Sequence, residues 1–511
     1  MEKKHNLKSS LVGLWQRHTW LIIGLFGVVL TFIGGAGLRT TTIPWLLSAD
    51  APFHLDYAWQ VYKGVLPAAM GGIQAPVAAL PNHPVHLAAQ HPPLYYAILA
   101  PLAGPFMDNG DWPMATALGR LLSMGLGLLS ALALAWVAWI VGGKYRRILA
   151  IAAPAIAITF VPFAGVAAAV YNDTLVVFTS TVALGLAALI IYRGPRPSYV
   201  GVLTVVLLLG MASKVSFVSA FFVAVLSLIG AFVLHGKDTF SKNTGKGIGC
   251  GALVSLVVIG GIGWFYYLHN FQASGSLISA QPSSLPPMRE YRPFLQVIIS
   301  QKLWELVPFG LFRRSFHEIG GYTLNQWISI SVFVLGMLGS IAWFVKEKAW
   351  HIFHKTRRLH LLVATMFTAH FGIVFAQQMV YATGYGSINF RYILPAWFLM
   401  GLVLAFGVSV WQFLRGFGAV LVAIAGWVAV INSTVFALSS RTNLPTEHGW
   451  VPLLQSGAEQ NGFAPVIVPI LLLAIVLGLT LIAIALWYAT SPRNIKAEAS
   501  SKRLPDRKGS T

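Results

Sequence analysis

Residues 464–489 read APVIVPILLLAIVLGLTLIAIALWYA, a stretch without a charged residue. An α-helix needs roughly 20 apolar residues to cross the hydrocarbon core of a bilayer, so this stretch predicts a membrane-spanning helix. Eleven further apolar stretches predict the same element, near residues 19–37, 121–142, 149–169, 174–192, 198–213, 216–235, 248–268, 327–345, 360–380, 393–411 and 417–437. The expected fold class is therefore an all-α polytopic membrane protein with about twelve transmembrane helices.

The composition of the chain agrees with that class. Of the 511 residues, 56% are hydrophobic and only 10% are charged, and the mean hydropathy is +0.71. A soluble domain carries about 25% charged residues, so these charges are too few to cover a water-soluble protein of this size. Cys250 is the single cysteine, which excludes an intrachain disulfide and a cysteine-built metal site.

The distribution of charge predicts how the chain is oriented. Most of the 35 Lys and Arg residues fall in segments that are cytoplasmic if both termini are cytoplasmic. This positive-inside pattern explains the net charge of +20 without nucleic acid as a partner. Most of the 15 acidic residues fall on the outer side, where the three longest loops also lie. Carboxylates contribute little to orientation, so chemistry at the outer face is one explanation for them.

The predicted organisation is a single transmembrane domain over residues 1–490, with outer loops 38–120, 269–326 and 438–463. Residues 491–511 are polar and basic, and we expect a disordered cytoplasmic tail. The N-terminal apolar run shows no obvious cleavage site for a signal peptide.

Two short interfacial helices are predicted in the first outer loop. Phe53 and Tyr57 share one helical face, and Asp56 lies on another face, where we expect it to be solvated. A second helix is expected to follow His91-Pro92-Pro93, because proline is common in the first turn of a helix.

Two segments of this loop carry a family resemblance. SADAPFHLDYAWQVYKGVLP (residues 48–67) follows the first membrane helix, and QHPPLYY (residues 90–96) comes later in the loop. Together they resemble the GT-C superfamily of integral membrane glycosyltransferases, which includes protein O-mannosyltransferases and lipid A aminoarabinose transferases. The resemblance in specific residues covers about the first third of the chain. It implies a polyprenyl-phosphate sugar donor, a lipid, glycan or protein acceptor, and a site on the outer face of a bacterial inner membrane.

By this resemblance Asp50 is the candidate catalytic base. An inverting transfer needs a carboxylate to take the proton of the attacking hydroxyl, and partial desolvation beside lipid is expected to raise the pKa of Asp50. The alternative is an N-cap, since Asp followed by Pro52 is an ordinary helix start. Many relatives have two adjacent acids, whereas Ala49 and Ala51 flank Asp50 here. No cofactor is therefore firmly predicted, and a divalent cation stays open.

Four further residues are candidates near this acid. Asp173 is the second catalytic carboxylate by resemblance, or a helix cap. His54 is either a partner of the base or an interfacial side chain, and Tyr57 is grouped with it as a substrate contact. His91 would bind the acceptor or the leaving phosphate, or it only marks the entry to a helix.

Four cations are candidate phosphate ligands. Lys214 follows an apolar run, and a lysine at membrane depth either pairs or extends its ammonium to the interface. Arg313 and Arg314 lie in an outer loop, against the positive-inside bias, and bind phosphate, lipid headgroups or nearby glutamates. Arg391, in YGSINFRYILP (residues 385–395), either meets the phosphate or the sugar, or lies in an aromatic belt at the interface.

The predicted function is transfer of a sugar, with inversion, from a polyprenyl-phosphate donor to an envelope acceptor. No nucleotide-binding or zinc motif appears in the sequence, which suits a lipid-linked donor. The alternative is a multi-pass transporter or flippase for a lipid-linked saccharide, which predicts charges at mid-membrane and two repeated halves. A catalytically inactive scaffold in envelope assembly is a third class.

Overall fold

The computed structural model describes residues 3–45, 50–68, 71–75, 86–272, 292–305, 311, 318–319, 322–346, 355–383, 388–411, 414, 416–442, 444 and 449–490. The predicted tail and much of the second outer loop, including Arg313 and Arg314, lie outside these residues. Over the described residues the chain is almost entirely helical, as the sequence predicts.

Eighteen α-helices and two short strands are described. The helices are α1 (Lys3–Thr42), α2 (Ala51–Tyr62), α3 (Leu94–Asp108), α4 (Trp112–Val141), α5 (Arg146–Ala157), α6 (Val161–Ala167), α7 (Asp173–Arg193), α8 (Pro197–Met211), α9 (Val218–His235), α10 (Phe240–Trp264), α11 (Phe294–Ile298), α12 (Gln301–Trp304), α13 (Leu324–Lys346), α14 (Lys355–Thr383), α15 (Leu394–Val410), α16 (Phe417–Arg441), α17 (Trp450–Gln460) and α18 (Ile467–Thr490). Strands β1 (Glu318–Ile319) and β2 (Tyr322–Thr323) pair antiparallel.

The number of membrane spans is close to the predicted twelve but does not reach it. Within the described ranges, ten helices are long and apolar enough to cross a membrane, and a bent pair would make eleven. Every predicted span is helical over most of its length in the structure. The difference comes from two of them, residues 149–169 and 198–213.

The predicted span at 149–169 is broken into α5 and α6. The two pieces are bent by 73° at the break. Pro162 lies in the first turn of α6, where its ring fits a helix start but cannot continue a preceding helix. The predicted span at 198–213 is α8, which has only 15 residues and is shorter than a bilayer requires.

Glycines bring the first and last long helices into close contact. A Cβ atom added at Gly27 of α1 would lie 2.6 Å from the carbonyl oxygen of Gly478 in α18. A Cβ atom added at Gly34 would lie 2.6 Å from the carbonyl oxygen of Leu471. Small residues allow helix backbones to approach this closely in membranes, so α1 and α18 pack directly against each other.

The first loop folds against one end of the helical bundle. Helices α2 and α3 form a buried cluster around Tyr57, Tyr95 and Tyr96, each of which is fully buried. Both predicted short helices are therefore present. Helix α17 covers the same end beside α1, within the segment predicted as the third loop. This end of the bundle, which contains the start of α7 and the end of α8, is called the site end below.

The α1–α18 contact gives a stability prediction. Gly478→Leu places side-chain atoms against Gly27 and Thr31, and overpacking of this kind costs about 1–3 kcal/mol. We expect a lower midpoint of thermal unfolding in lipid. Gly260→Leu in α10 is the matched control, because a Cβ atom there meets nothing within 4 Å. Equal midpoints for the two variants would contradict the packing argument.

Candidate functional site

Four charged side chains from distant parts of the chain meet at the site end. Nη1 of Arg391 lies 2.6 Å from Oδ2 of Asp50, and Nε of Arg391 lies 3.6 Å from Oδ2 of Asp173. Nζ of Lys214 lies 2.7 Å from Oδ1 of Asp173. The result is an alternating row of two carboxylates and two cations, which we call the charge cluster (Asp50, Arg391, Asp173, Lys214).

Helix starts and short links place these four residues. Asp50 immediately precedes α2, and Asp173 begins α7. Lys214 lies in the link between α8 and α9, and Arg391 lies in a 3₁₀ turn at residues Phe390–Ile393 before α15. Because all four segments end or begin at the site end, their side chains converge there.

Neither acid acts as a helix cap through its side chain. Asp50 occupies the N-cap position of α2, but its carboxylate makes no capping hydrogen bond. The N-cap of α7 is Asn172, whose Nδ2 instead donates to the carbonyl oxygen of Ser213 at 3.1 Å. Asp50 is therefore the N-cap residue by position, with Pro52 in the first turn as the alternative expected, but neither carboxylate makes a capping hydrogen bond.

Aromatic rings surround the two cations. The guanidinium carbon of Arg391 lies 4.7 Å from the ring centre of Tyr171 and 5.2 Å from that of Tyr392. Nζ of Lys214 lies 5.7 Å from the ring centre of Tyr392. Cations over aromatic faces are attracted to them. The Arg391 side chain is only 15% exposed and turns toward the acids, so it is not an arginine extended into the interface.

The electrostatic environment of Asp50 differs from the prediction. Burial raises the pKa of its carboxyl, but the charges of Arg391 and Lys214 and the Arg391 hydrogen bond outweigh burial and lower the pKa below its usual range. The predicted raised pKa is wrong because it counted desolvation without the neighbouring cations. Asp50 is ionised at neutral pH, and its side chain remains 32% exposed.

His54 lies one helical turn after Asp50 and is neutral. Burial lowers the pKa of its imidazole to about 3. Its Nδ1 is in a hydrogen bond with the hydroxyl of Tyr96 at 2.8 Å, and its ring centre lies 6.1 Å from that of His91. The hydroxyl of Tyr57 donates to the carbonyl oxygen of His91 at 2.8 Å, so Tyr57 supports the segment that carries His91.

A cavity of about 400 Å³ opens beside the charge cluster. Of the predicted site residues, Asp50, His54, His91, Lys214 and Arg391 line it. Asp173 and Tyr57 are buried behind this surface, the first in contact with Lys214 and the second with His91. Apolar side chains complete the wall: Phe53, Leu87, Val215, Val218, Ile373 and Val380.

A π-helical turn holds the segment that precedes His91. Residues Phe265–Phe271 continue α10 as a π-helix. From it, Nε2 of His269 lies 3.2 Å from the carbonyl oxygen of Ala89, and Nδ2 of Asn270 donates to that of Gln90 at 3.1 Å. π-helical turns are frequent at functional sites, where they redirect side chains.

The structure contradicts the prediction that Asp56 is solvated. It is fully buried rather than solvated. Its Oδ1 accepts from the backbone N–H groups of Gln74 at 3.0 Å and Ala75 at 2.6 Å, and its Oδ2 lies 2.9 Å from Nε2 of His86. Asp56 therefore ties later parts of the first loop onto α2.

Sequence reasoning missed several residues around the cavity. Gln377 and Gln378 of α14 line it, and Tyr171 packs against Arg391. Two consecutive glutamines in an otherwise apolar span were the available signal, since burying an amide without a partner costs free energy.

A metal ion has no evident place in the described part of the chain. No group of three or more His, Cys, Asp or Glu side chains among the described residues is arranged to hold one. Asp50 and Asp173 are already matched with Arg391 and Lys214.

Comparison with known proteins gives only distant structural likenesses. No protein-family model and no curated protein matches the chain. ArnT from Cupriavidus metallidurans in the apo state is 12% identical over 92% of this chain and 75% of that chain, with a TM-score of 0.48. The same protein bound to undecaprenyl phosphate is 12% identical over 96% and 82%, with a TM-score of 0.46.

An archaeal oligosaccharyltransferase is similar at the same level. AglB from Archaeoglobus fulgidus, in complex with an inhibitory peptide and a dolichol-phosphate, is 13% identical over 97% of this chain and 60% of that chain, with a TM-score of 0.45. Both proteins resemble this chain only loosely, in the path of the backbone. This likeness does not identify the function of the chain.

The buried pair of Lys214 and Asp173 gives a second stability prediction. Lys214→Met leaves the Asp173 carboxylate buried without its nearest cation, and breaking a buried pair costs about 3–5 kcal/mol. We expect the low end of that range, because Arg391 remains 3.6 Å from Asp173. The measurement is the free energy of unfolding in lipid or detergent.

The double variant Lys214→Met/Asp173→Asn should recover part of the loss, since it removes the unpaired charge. Lys63→Met is the control, because Lys63 and Asp108 form an exposed pair, for which about 0–1 kcal/mol is expected. A loss at Lys214 no larger than that at Lys63 would contradict the buried-pair argument.

Proposed function

We propose that the chain is a membrane glycosyltransferase that takes a sugar from a polyprenyl-phosphate donor and transfers it to an envelope acceptor. The observation that carries the proposal is the charge cluster beside the cavity, in which an accessible carboxylate at position 50 faces two cations. Resemblance of residues 48–67 and 90–96 to GT-C glycosyltransferases supports the same assignment.

The cations suit the phosphate of the donor. A guanidinium offers paired N–H donors to phosphate oxygens, and an ammonium offers a compact positive charge. Arg391 and Lys214 both line the cavity, and Val215, Val218 and Val380 give it an apolar side next to them. A phosphate on a long hydrocarbon chain combines these two requirements in one molecule.

The donor phosphate would compete with Asp50 for Arg391. When Arg391 turns to the phosphate, Asp50 loses the cation nearest to it and its pKa rises toward the usual value. The base then becomes stronger when the donor is bound. Arg391 can move toward Asp173, whose Oδ2 lies 3.6 Å from its Nε.

The transfer step follows from this arrangement. The hydroxyl oxygen of the acceptor forms a bond to the anomeric carbon, and the bond from that carbon to the phosphate oxygen breaks. Asp50 takes the hydroxyl proton, and polyprenyl phosphate leaves with the bonding electrons, held by Arg391 and Lys214. Attack opposite the leaving phosphate inverts the anomeric carbon. His54 is neutral and lies beside the base.

Location favours this enzyme over a transporter. The charge cluster lies where α7 begins and α8 ends, whereas alternating access predicts charged groups near the middle of the spans. Most Lys and Arg residues fall in segments at the opposite end of the helices. We therefore place the site on the outer face of a bacterial inner membrane, with both termini cytoplasmic.

Loss of the base tests the function. Asp50→Asn keeps the shape of the side chain but cannot accept the proton, and general-base catalysis contributes about 100- to 10,000-fold. We expect transfer to fall by at least about 100-fold. The measurement is movement of radiolabel from polyprenyl-phosphate sugars to an envelope extract, with the purified protein in lipid.

Asp56→Asn is the matched control, because Asp56 ties down the loop and does not line the cavity. Both variants are checked by thermal unfolding. Equal transfer by wild type and Asp50→Asn would remove Asp50 as the base. No transfer by wild type, with labelled lipid crossing between leaflets, would favour the flippase instead.

The pH dependence of transfer tests the pairing of Asp50 with Arg391. The cation lowers the pKa of Asp50, so the ionised base persists to more acidic pH than a free carboxylate would. Arg391→Gln removes that charge, which raises the pKa of Asp50. We expect the acidic limb of kcat/KM to move to higher pH, together with weaker donor binding.

Arg391→Lys keeps the positive charge and should leave the limb closer to its wild-type position. kcat/KM is the correct quantity, because it reports groups of the free enzyme, in which the ion pair is intact. An acidic limb at the same pH in all three proteins would show that Asp50 does not control it.

A further inference from the structure

The cavity holds a second set of polar groups that the proposed chemistry does not use. These uncharged side chains line the cavity: Gln90, His91, Gln377 and Gln378. Burial holds the pKa of the His91 imidazole well below its usual range, so this histidine is neutral at pH 7. Neutral acceptor atoms are poor partners for an ionised phosphate, which offers no hydrogen to them, and they are good partners for hydroxyl groups.

Gln377 is the most informative member of this set. Its Oε1 is buried and makes no hydrogen bond to any residue that the structure describes. A buried polar atom left without a partner costs about 1–3 kcal/mol, and such atoms in folded proteins call for an explanation. Gln377 lines the cavity together with Ile373 and Val380 of α14, so a turn of its side chain would bring Oε1 to a bound ligand that supplies the missing partner.

The chemistry of Oε1 restricts which part of a ligand that partner can be. Oε1 only accepts hydrogen bonds, so the ligand has to bring an O–H or N–H group. An ionised phosphodiester has no such donor, and a polyprenyl chain has no polar hydrogen. Of the three parts of the proposed donor, the sugar alone carries hydroxyl or amino groups.

His91 contributes a second buried polar atom without a hydrogen-bond partner. Its Nδ1 is buried and has no hydrogen-bond partner among the described residues. Its ring lies parallel to that of His54, one turn from Asp50. A group that satisfies Nδ1 of His91 would therefore lie near the proposed base, where the reacting end of the sugar is required.

We propose that Gln377 reads the sugar of the donor, accepting a hydrogen bond from one of its hydroxyl or amino groups through Oε1, with Nδ1 of His91 as a second contact. This inference rests on the proposed function and extends it to specificity. A site built to hydrogen-bond a substrate hydroxyl discriminates strongly against an analogue that lacks it, because the buried protein atom is then left unpaired.

Binding to lipids with and without a sugar tests the proposal. The probes are polyprenyl phosphate and polyprenyl phosphates that carry glucose, mannose, galactose, arabinose or N-acetylglucosamine. Wild type should bind one of the sugar-bearing lipids more tightly than the bare lipid. Gln377→Leu should weaken binding of that lipid by about 10-fold and leave binding of the bare lipid unchanged.

Arg391→Gln is the contrasting variant, because it should weaken binding of both lipids through their shared phosphate. Gln377→Met, which keeps the length of the side chain, repeats the test if Gln377→Leu does not fold. Single-deoxy forms of the preferred sugar then locate the contact. One deoxy form should bind wild type more weakly than the parent lipid does. The same deoxy form and the parent lipid should bind Gln377→Leu equally well.

Three results would overturn the proposal. In the first, Gln377→Leu weakens binding of the bare and the sugar-bearing lipid equally. In the second, Gln377→Leu weakens binding of neither lipid. In the third, wild type binds bare lipid but binds no sugar-bearing lipid more tightly. A wild type that binds neither bare nor sugar-bearing lipid would instead overturn the proposed function. The two failures are therefore distinguishable in one experiment.

Discussion

The contact between Arg391 and Asp50 joins residues that are 341 positions apart in the chain. A charged group buried away from water is costly unless an opposite charge and hydrogen bonds accompany it. Arg391 meets this requirement only when α2, α7 and the start of α15 are all in place. The charge cluster thus fixes the relative positions of the first loop and the later half of the chain, and the shape of the cavity depends on it.

The same balance of charges determines what can enter the cavity. Two carboxylates and two cations neutralise one another at rest, so no cation is held ready without a counter-charge. An anion that enters has to displace a carboxylate from its partner. Phosphate can do so at Arg391 because the nearby Asp173 remains within reach of the guanidinium. Under the proposed function, binding of an anion and release of a base are then one event, which links recognition of the donor to reactivity.

Most of the fold could be predicted from the sequence, because each span depends on a local run of about 20 apolar residues. Each of these runs is mainly helical in the structure. The break between α5 and α6 could not be predicted, because the sequence stays apolar on both sides of Pro162. Only the structure shows that this proline begins a new helix. The four members of the charge cluster were recognised separately, but their pairing depends on packing across the whole bundle. Asp56 was misjudged because its partners, Gln74, Ala75 and His86, come from irregular chain without periodicity.

The π-helical turn at Phe265–Phe271 bears on how this protein tolerates changes of length. A π-turn is the form an α-helix takes when it accommodates one additional residue. Removing a single residue there would restore regular helix and change the directions of His269 and Asn270, which lie inside the turn. Both would lose their carbonyl partners, Ala89 and Gln90, in the segment leading to His91. In evolution, this turn is therefore a position where a one-residue deletion would reach the binding cavity without replacing any residue that lines it.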